Sequence, residues 1–195
     1  MITDISALDL EKTYTYADYL KWQFKERVEL IKGRIFKMSP APGRLHQKVT
    51  VKLVSRIDRF LEGKKCEVYT APFDVRFPKE NNDNKTFTVV QPDLCIICDL
   101  TKLDEKGCIG APDMIIEILS PKTAKKDIKD KFQLYEENGV KEYWIVSPEN
   151  RLVDVFVLKE DNKYHLIGKF ADDDMVKVNI FEDFEINLAE IFTES

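Results

Sequence analysis

A chain of 195 residues that is 44% hydrophobic and 33% charged has enough apolar material for a globular core, which excludes a disordered polypeptide. Its net charge of −5 excludes a protein that holds nucleic acid by overall positive charge alone, although an acidic total is compatible with a metal site built of carboxylates. No basic segment with a long apolar core opens the chain and no apolar run approaches membrane-spanning length, so a cytoplasmic protein without membrane contact is expected.

In chain order, Thr15 with Asp18 three residues on marks the start of a helix over 16–25, with Leu20 and Phe24 on its apolar edge. Two short runs, 28–31 and 34–38, flank Lys32-Gly33 and predict a hairpin with Gly33 at a positive-φ turn position. Ser39-Pro40-Ala41-Pro42-Gly43 ends it. Residues 44–62 carry Leu45, Val49, Leu53, Ile57, Phe60 and Leu61 on one stripe, the pattern of an amphipathic helix packed on a sheet, with Lys48, Lys52, Arg56 and Arg59 on the solvent side. A strand is expected over 67–77, then an exposed loop, then a long strand over 86–98 bent at Pro92.

After a polar connection, 113–119 is nearly all apolar, as suits a central strand covered on both faces. A helix over 124–138 ends at Asn138-Gly139, and a strand over 141–147 completes a βαβ unit, which favours parallel pairing. The segments 152–158 and 163–170 predict a second hairpin, 175–180 a further strand and 188–192 a closing helical turn. The cysteines 66, 95, 98 and 108 predict buried free thiols and no disulfide framework. In Cys95-Ile96-Ile97-Cys98 the strand-like spacing sends the two sulfurs to opposite faces.

Two carboxylates stand inside apolar, β-branched runs, Asp93 in 90–97 and Glu117 in 113–120, and a charge in such a setting calls for a partner or a metal. A structural role for each is a turn aspartate after proline and a strand glutamate paired with a lysine. Together they offer a hard divalent cation two oxygen ligands, with waters and a substrate phosphate completing the shell. Asp127, Lys131 and Tyr135 lie four residues apart on one face of the following helix. Lys131 either pairs with Asp127 or points at the metal site, where its charge would orient a water, and Tyr135 is expected to pack. His46 sits at the start of the amphipathic helix, as a cap, a packing residue or a site residue.

Gln91-Pro92-Asp93, Glu117-Ile118-Leu119-Ser120-Pro121, Asp127, Lys131 and Glu142-Tyr143-Trp144 together resemble the Uma-two family of restriction-endonuclease-like proteins, within the PD-(D/E)XK nuclease superfamily. Glu29-Leu30-Ile31-Lys32-Gly33, Met38-Ser39-Pro40 and His46 extend the resemblance over nearly the whole chain. It implies an α/β fold with a mixed β-sheet core flanked by α-helices, as one domain over 1–195. The N-terminal helix and hairpin would run to 43, the catalytic core over 44–147 and the C-terminal strands over 148–195. It also implies a magnesium-dependent endonuclease, with manganese as an alternative ion, acting on DNA and compatible with a homodimer. Asp93 and Glu117 would be catalytic and metal-binding, with the Ile118 carbonyl as a further ligand. The lysine expected two residues after Glu117 is replaced by Leu119, so Lys131 becomes the candidate catalytic lysine and Lys122 the next. Glu29, Gln91, His46 and Asp127 complete the candidate set. The alternative implied by Leu119 and the acidic total is a catalytically inactive module, on the same fold, that binds nucleic acid or protein.

Overall fold

Pro92 marks the step between the two six-stranded sheets of the molecule. In the computed structural model, which describes residues 2–38, 42–80, 82–120 and 126–193, with the side chains of 126–128 outside the description, the elements run α1 (Tyr16–Tyr19), β1 (Val28–Ile31), β2 (Arg34–Lys37), α2 (Arg44–Leu61), β3 (Glu67–Thr70), β4 (Val75–Arg76), β5 (Val89–Val90), β6 (Leu94–Ile97), β7 (Leu103–Asp104), β8 (Gly107–Ile109), β9 (Met114–Ile118), α3 (Lys126–Glu137), β10 (Glu142–Ser147), β11 (Leu152–Leu158), β12 (Tyr164–Ala171), β13 (Met175–Lys177), β14 (Glu185–Asn187) and α4 (Leu188–Phe192). One sheet has the order β2-β1-β5-β4-β8-β7 and the other β12-β11-β10-β9-β6-β3, while β13 and β14 pair by themselves.

The expected long strand over 86–98 is therefore two strands. β5 pairs with β1 and β4 in the smaller sheet, β6 with β3 and β9 in the central one, and Gln91-Pro92-Asp93 is the step between them. Proline has no N–H to give a ladder, so the chain leaves one sheet at Pro92 and enters the next after it. The expected strand over 67–77 divides in the same way, into β3 and β4.

β9 is central, parallel to β10 and antiparallel to β6, so the βαβ unit pairs as expected. Its alternate residues serve two cores. Met114, Ile116 and Ile118 face α2 and the C-terminal segment, packing with Val49, Leu53 and Ile57. Ile115 faces α3 in a cluster with Leu134, Tyr135 and Tyr143. Glu117 has the parity of Ile115, so its carboxylate lies on the α3 side.

Other departures are local. The first helix is four residues long: the Thr15–Asp18 capping box forms, but the turn closes at Leu20 and Phe24 joins an aromatic cluster instead. The polar connection before β9 contains the short β7–β8 hairpin. Cys66 and Cys98 are joined in a disulfide, against the expectation of free thiols, whereas Cys95 and Cys108 are free and buried. The β3–β6 register, Glu67 opposite Ile97, brings residues 66 and 98 face to face; that register is a tertiary fact which spacing does not disclose. Lys32 and Gly33 take φ of 51° and 80° at the β1–β2 turn, as the hairpin requires. No helix among the described residues is long and apolar enough to cross a membrane.

Candidate active site

Asp93 stands where the chain enters β6. Its Oδ2 accepts the Ile118 N–H at 2.7 Å and lies 3.2 Å from His46 Nε2. β9 runs beside β6, so the residue after Glu117 holds the carboxylate of Asp93, and the two acids come to neighbouring places from strands 24 positions apart in sequence. His46, buried in the first turn of α2, is braced by Thr50, whose hydroxyl donates to the His46 carbonyl at 2.9 Å.

Glu117 Oε1 receives Lys131 Nζ at 2.9 Å and the Tyr135 hydroxyl at 2.6 Å. Residues 131 and 135 are one helical turn apart, so α3 presents both to the same carboxylate. Lys131 also meets Glu29 Oε1 at 3.0 Å, and that oxygen accepts the Gln91 N–H at 2.8 Å. Lys131 thus ties α3 to both sheets through three side chains that are each less than 15% exposed. Burial, opposed by the Lys131 charge and reinforced by the negative charges of Asp93 and Glu29, pushes the Glu117 carboxyl up to about 7. Burial alone would lower the Lys131 ammonium, but Glu117 and Glu29 outweigh it and hold the lysine charged.

A third group borders this network. Gln91 Nε2 donates to Asp74 Oδ1 at 2.9 Å and lies 3.2 Å from the Tyr19 hydroxyl. Asp74 also accepts from Tyr16 at 3.0 Å and Tyr19 at 3.3 Å. Burial and the Asp74 charge raise both phenols well above their ordinary range, so they remain donors.

Asp93, Glu117, Lys131, His46, Glu29 and Gln91 are accordingly brought together, with Ile118 contributing its N–H to Asp93. Lys122 and the side chain of Asp127 lie outside the described residues. Tyr135, expected only to pack, binds Glu117. Asp74, Tyr16 and Tyr19 gave no signal in the pattern, because Asp74 falls inside what reads as a continuous strand and the tyrosines inside an apolar helix edge.

The donors suit a hard cation. Glu117 and Glu29 share the single ammonium of Lys131, and the repulsion from Asp93 and Glu29 that adds to burial in raising Glu117 is what a divalent ion would relieve. Among the described residues no three His, Cys, Asp or Glu side chains gather as a closed protein cage. Magnesium needs no such cage, since one or two carboxylates with waters and substrate phosphate suffice.

The mixed central sheet, with its helices on both faces and its acids at the β5–β6 step and on β9, is a restriction-endonuclease-like α/β fold. Residues 16–189 match the family Uma2, described as "Putative restriction endonuclease", and the chain belongs to that family. A solved structure titled as a putative nuclease belonging to DUF820, from Anabaena variabilis, superposes with a TM-score of 0.71 at 20% identity, over 92% of this chain and 97% of that one. The chain is also 26% identical over 174 residues, 88% of each chain, to the uncharacterized protein slr1290 of Synechocystis.

Proposed function

We propose that this protein is a divalent-metal-dependent endodeoxyribonuclease whose centre is Asp93, Glu117 and Lys131. The observation that carries the reading is the Ile118 N–H bond to Asp93, which places the two strand acids side by side while Lys131 approaches Glu117 from α3. Magnesium, or manganese, would be held by Asp93, Glu117 and the Ile118 carbonyl. Bound there, it supplies Lewis acidity toward a phosphoryl oxygen and a water of lowered pKa. Lys131 orients the attacking water and offsets the charge that develops on the phosphate. His46 fixes the Asp93 carboxylate, while Glu29 and Gln91 keep Lys131 at its post. In this reading Lys131 takes the place of the strand lysine, and Leu119 packs with the apolar cluster under α3.

The test is magnesium binding by calorimetry and cleavage of supercoiled DNA, both on the wild type, Asp93→Asn and Glu117→Gln. Binding and cleavage by the wild type, with both lost in the variants, is the expected result. Cleavage at wild-type rate by either variant refutes the assignment. Salt-dependent DNA binding, indifferent to magnesium and without cleavage, would mark the inactive binding module.

A further inference from the structure

A cavity that the proposed chemistry does not use adjoins the segment hydrogen-bonded to Gln91 and Asp93. It has a volume of about 390 Å³ and is walled by Tyr69, Phe73 and Asp74 on one side and by Leu103, Lys106 and Gly107 on the other. That falls within the ordinary range of small-ligand sites, about 300–1,000 Å³. Its wall is fastened to the catalytic segment at two points. The Ala71 N–H donates to the Asp93 carbonyl at 3.2 Å, and the Asp74 carboxylate accepts from Gln91.

Three features define what fits. Tyr69 and Phe73 stack on one another with centroids 4.2 Å apart and planes 12° apart, and a flat ring in the cavity can extend that stack on its outer face. Asp74 has only neutral partners among the described residues: Oδ1 accepts from Tyr19 and Gln91, Oδ2 from Tyr16. A carboxylate has about four acceptor positions, so one remains on Oδ2. Lys106, the basic residue of the wall, is paired with Asp83 at 2.9 Å, which leaves the cavity acidic and unsuited to a phosphate.

We propose that this cavity binds a nucleobase bearing an exocyclic amine, adenine or cytosine, from a single-stranded or extruded nucleotide next to the scissile phosphate. The ring extends the Tyr69–Phe73 stack and its amine donates to Asp74. The proposal rests on the nuclease reading for the identity of its ligand. It adds a base preference at a position adjoining the segment bonded to Asp93, and stacking of this kind is tolerant of sequence while the carboxylate is not.

The experiment is fluorescence anisotropy, in chelator, with labelled single strands of equal length: oligo-dA, oligo-dC, oligo-dT and an abasic backbone. The proteins are the wild type, Phe73→Leu, Tyr69→Leu and Asp74→Asn, with folding checked by circular dichroism. The wild type is expected to hold oligo-dA and oligo-dC about tenfold more tightly than the abasic strand. Either leucine variant should remove most of that gain, so one suffices if the other does not fold. Asp74→Asn should remove the advantage of dA and dC over dT. Equal affinity for abasic and base-bearing strands, or no change in a folded leucine variant, overturns the proposal. Magnesium-dependent duplex cleavage on the same samples separates the two readings. Cleavage without base-dependent binding refutes the cavity alone, and base-dependent binding without cleavage supports the cavity while refuting the nuclease.

Discussion

Replacing Lys131 by Met probes the centre most directly. The thioether keeps the length and apolar stem of the lysine but leaves Glu29 and Glu117, each nearly enclosed, facing one another without a cation. Removing one partner of a buried ion pair costs about 3–5 kcal/mol. For a chain of this size each kcal/mol moves Tm by about 2–4 °C, so a fall of about 6–20 °C is expected. The loss depends on pH with a definite sign. Without the ammonium, the folded-state Glu117 carboxyl rises further above its unfolded value, so the folded state holds a proton that the unfolded state releases. Stability therefore falls as pH rises through that window, and the deficit is larger near pH 8 than near pH 5. Thermal unfolding of wild type and variant at both pH values measures it. A second variant, Lys131→Met with Glu29→Gln, should recover part of the loss by removing one of the two opposed charges. A small deficit that is the same at both pH values would refute the buried-cation reasoning.

Magnesium affinity should rise from about pH 5.5 and level off above about pH 7, because Glu117 must shed the proton that its raised pKa retains. Calorimetry in buffers of different ionisation enthalpy should show the released proton. Tyr135→Phe removes a hydroxyl that donates to Glu117 and so favours its charged form; the acidic limb of activity should move to higher pH, with a stability loss of about 1.5–3 kcal/mol by urea titration. Glu142→Ala should cost about 3 kcal/mol or more, since it strands the buried Trp144 indole and the Ile180 N–H, while leaving metal affinity unchanged in whatever protein folds. Gly107→Ala should destabilise by pushing on Asp74, because Gly107 has φ of 127° and a Cβ there would lie 2.2 Å from the Asp74 carbonyl oxygen.

Periodicity made most of the larger elements legible. The apolar stripe of α2, the unbroken run of β9 and the Asn138-Gly139 stop of α3 each state a local preference that the tertiary structure keeps. Asp93 and Glu117 were visible because a charge within β-branched residues is conspicuous, and Lys131 because four-residue spacing places it with Tyr135. What stayed hidden depends on pairing between distant segments. Pro72 marks a break in 67–77, as Pro92 does in 86–98, but does not announce that β3 and β4 belong to different sheets, and without that division Asp74 has no reason to approach Gln91. The Cys66–Cys98 bond is hidden for the same reason, since it follows from the β3–β6 register. Tyr135 was legible as an aromatic on the buried face of a helix, but its hydroxyl acquires a role only when α3 is laid across β9.

Drawing the lysine from α3 changes how this centre tolerates insertion and deletion over evolutionary time. A lysine at position 119 would be bound to Glu117 by the two-residue repeat of one strand, and any indel between them would destroy the pair. Here the ammonium arrives from 14 positions downstream, and what must be preserved is the docking of α3 on the sheet. The one-turn interval from Lys131 to Tyr135 must be preserved with it, since both side chains reach the same Glu117 oxygen.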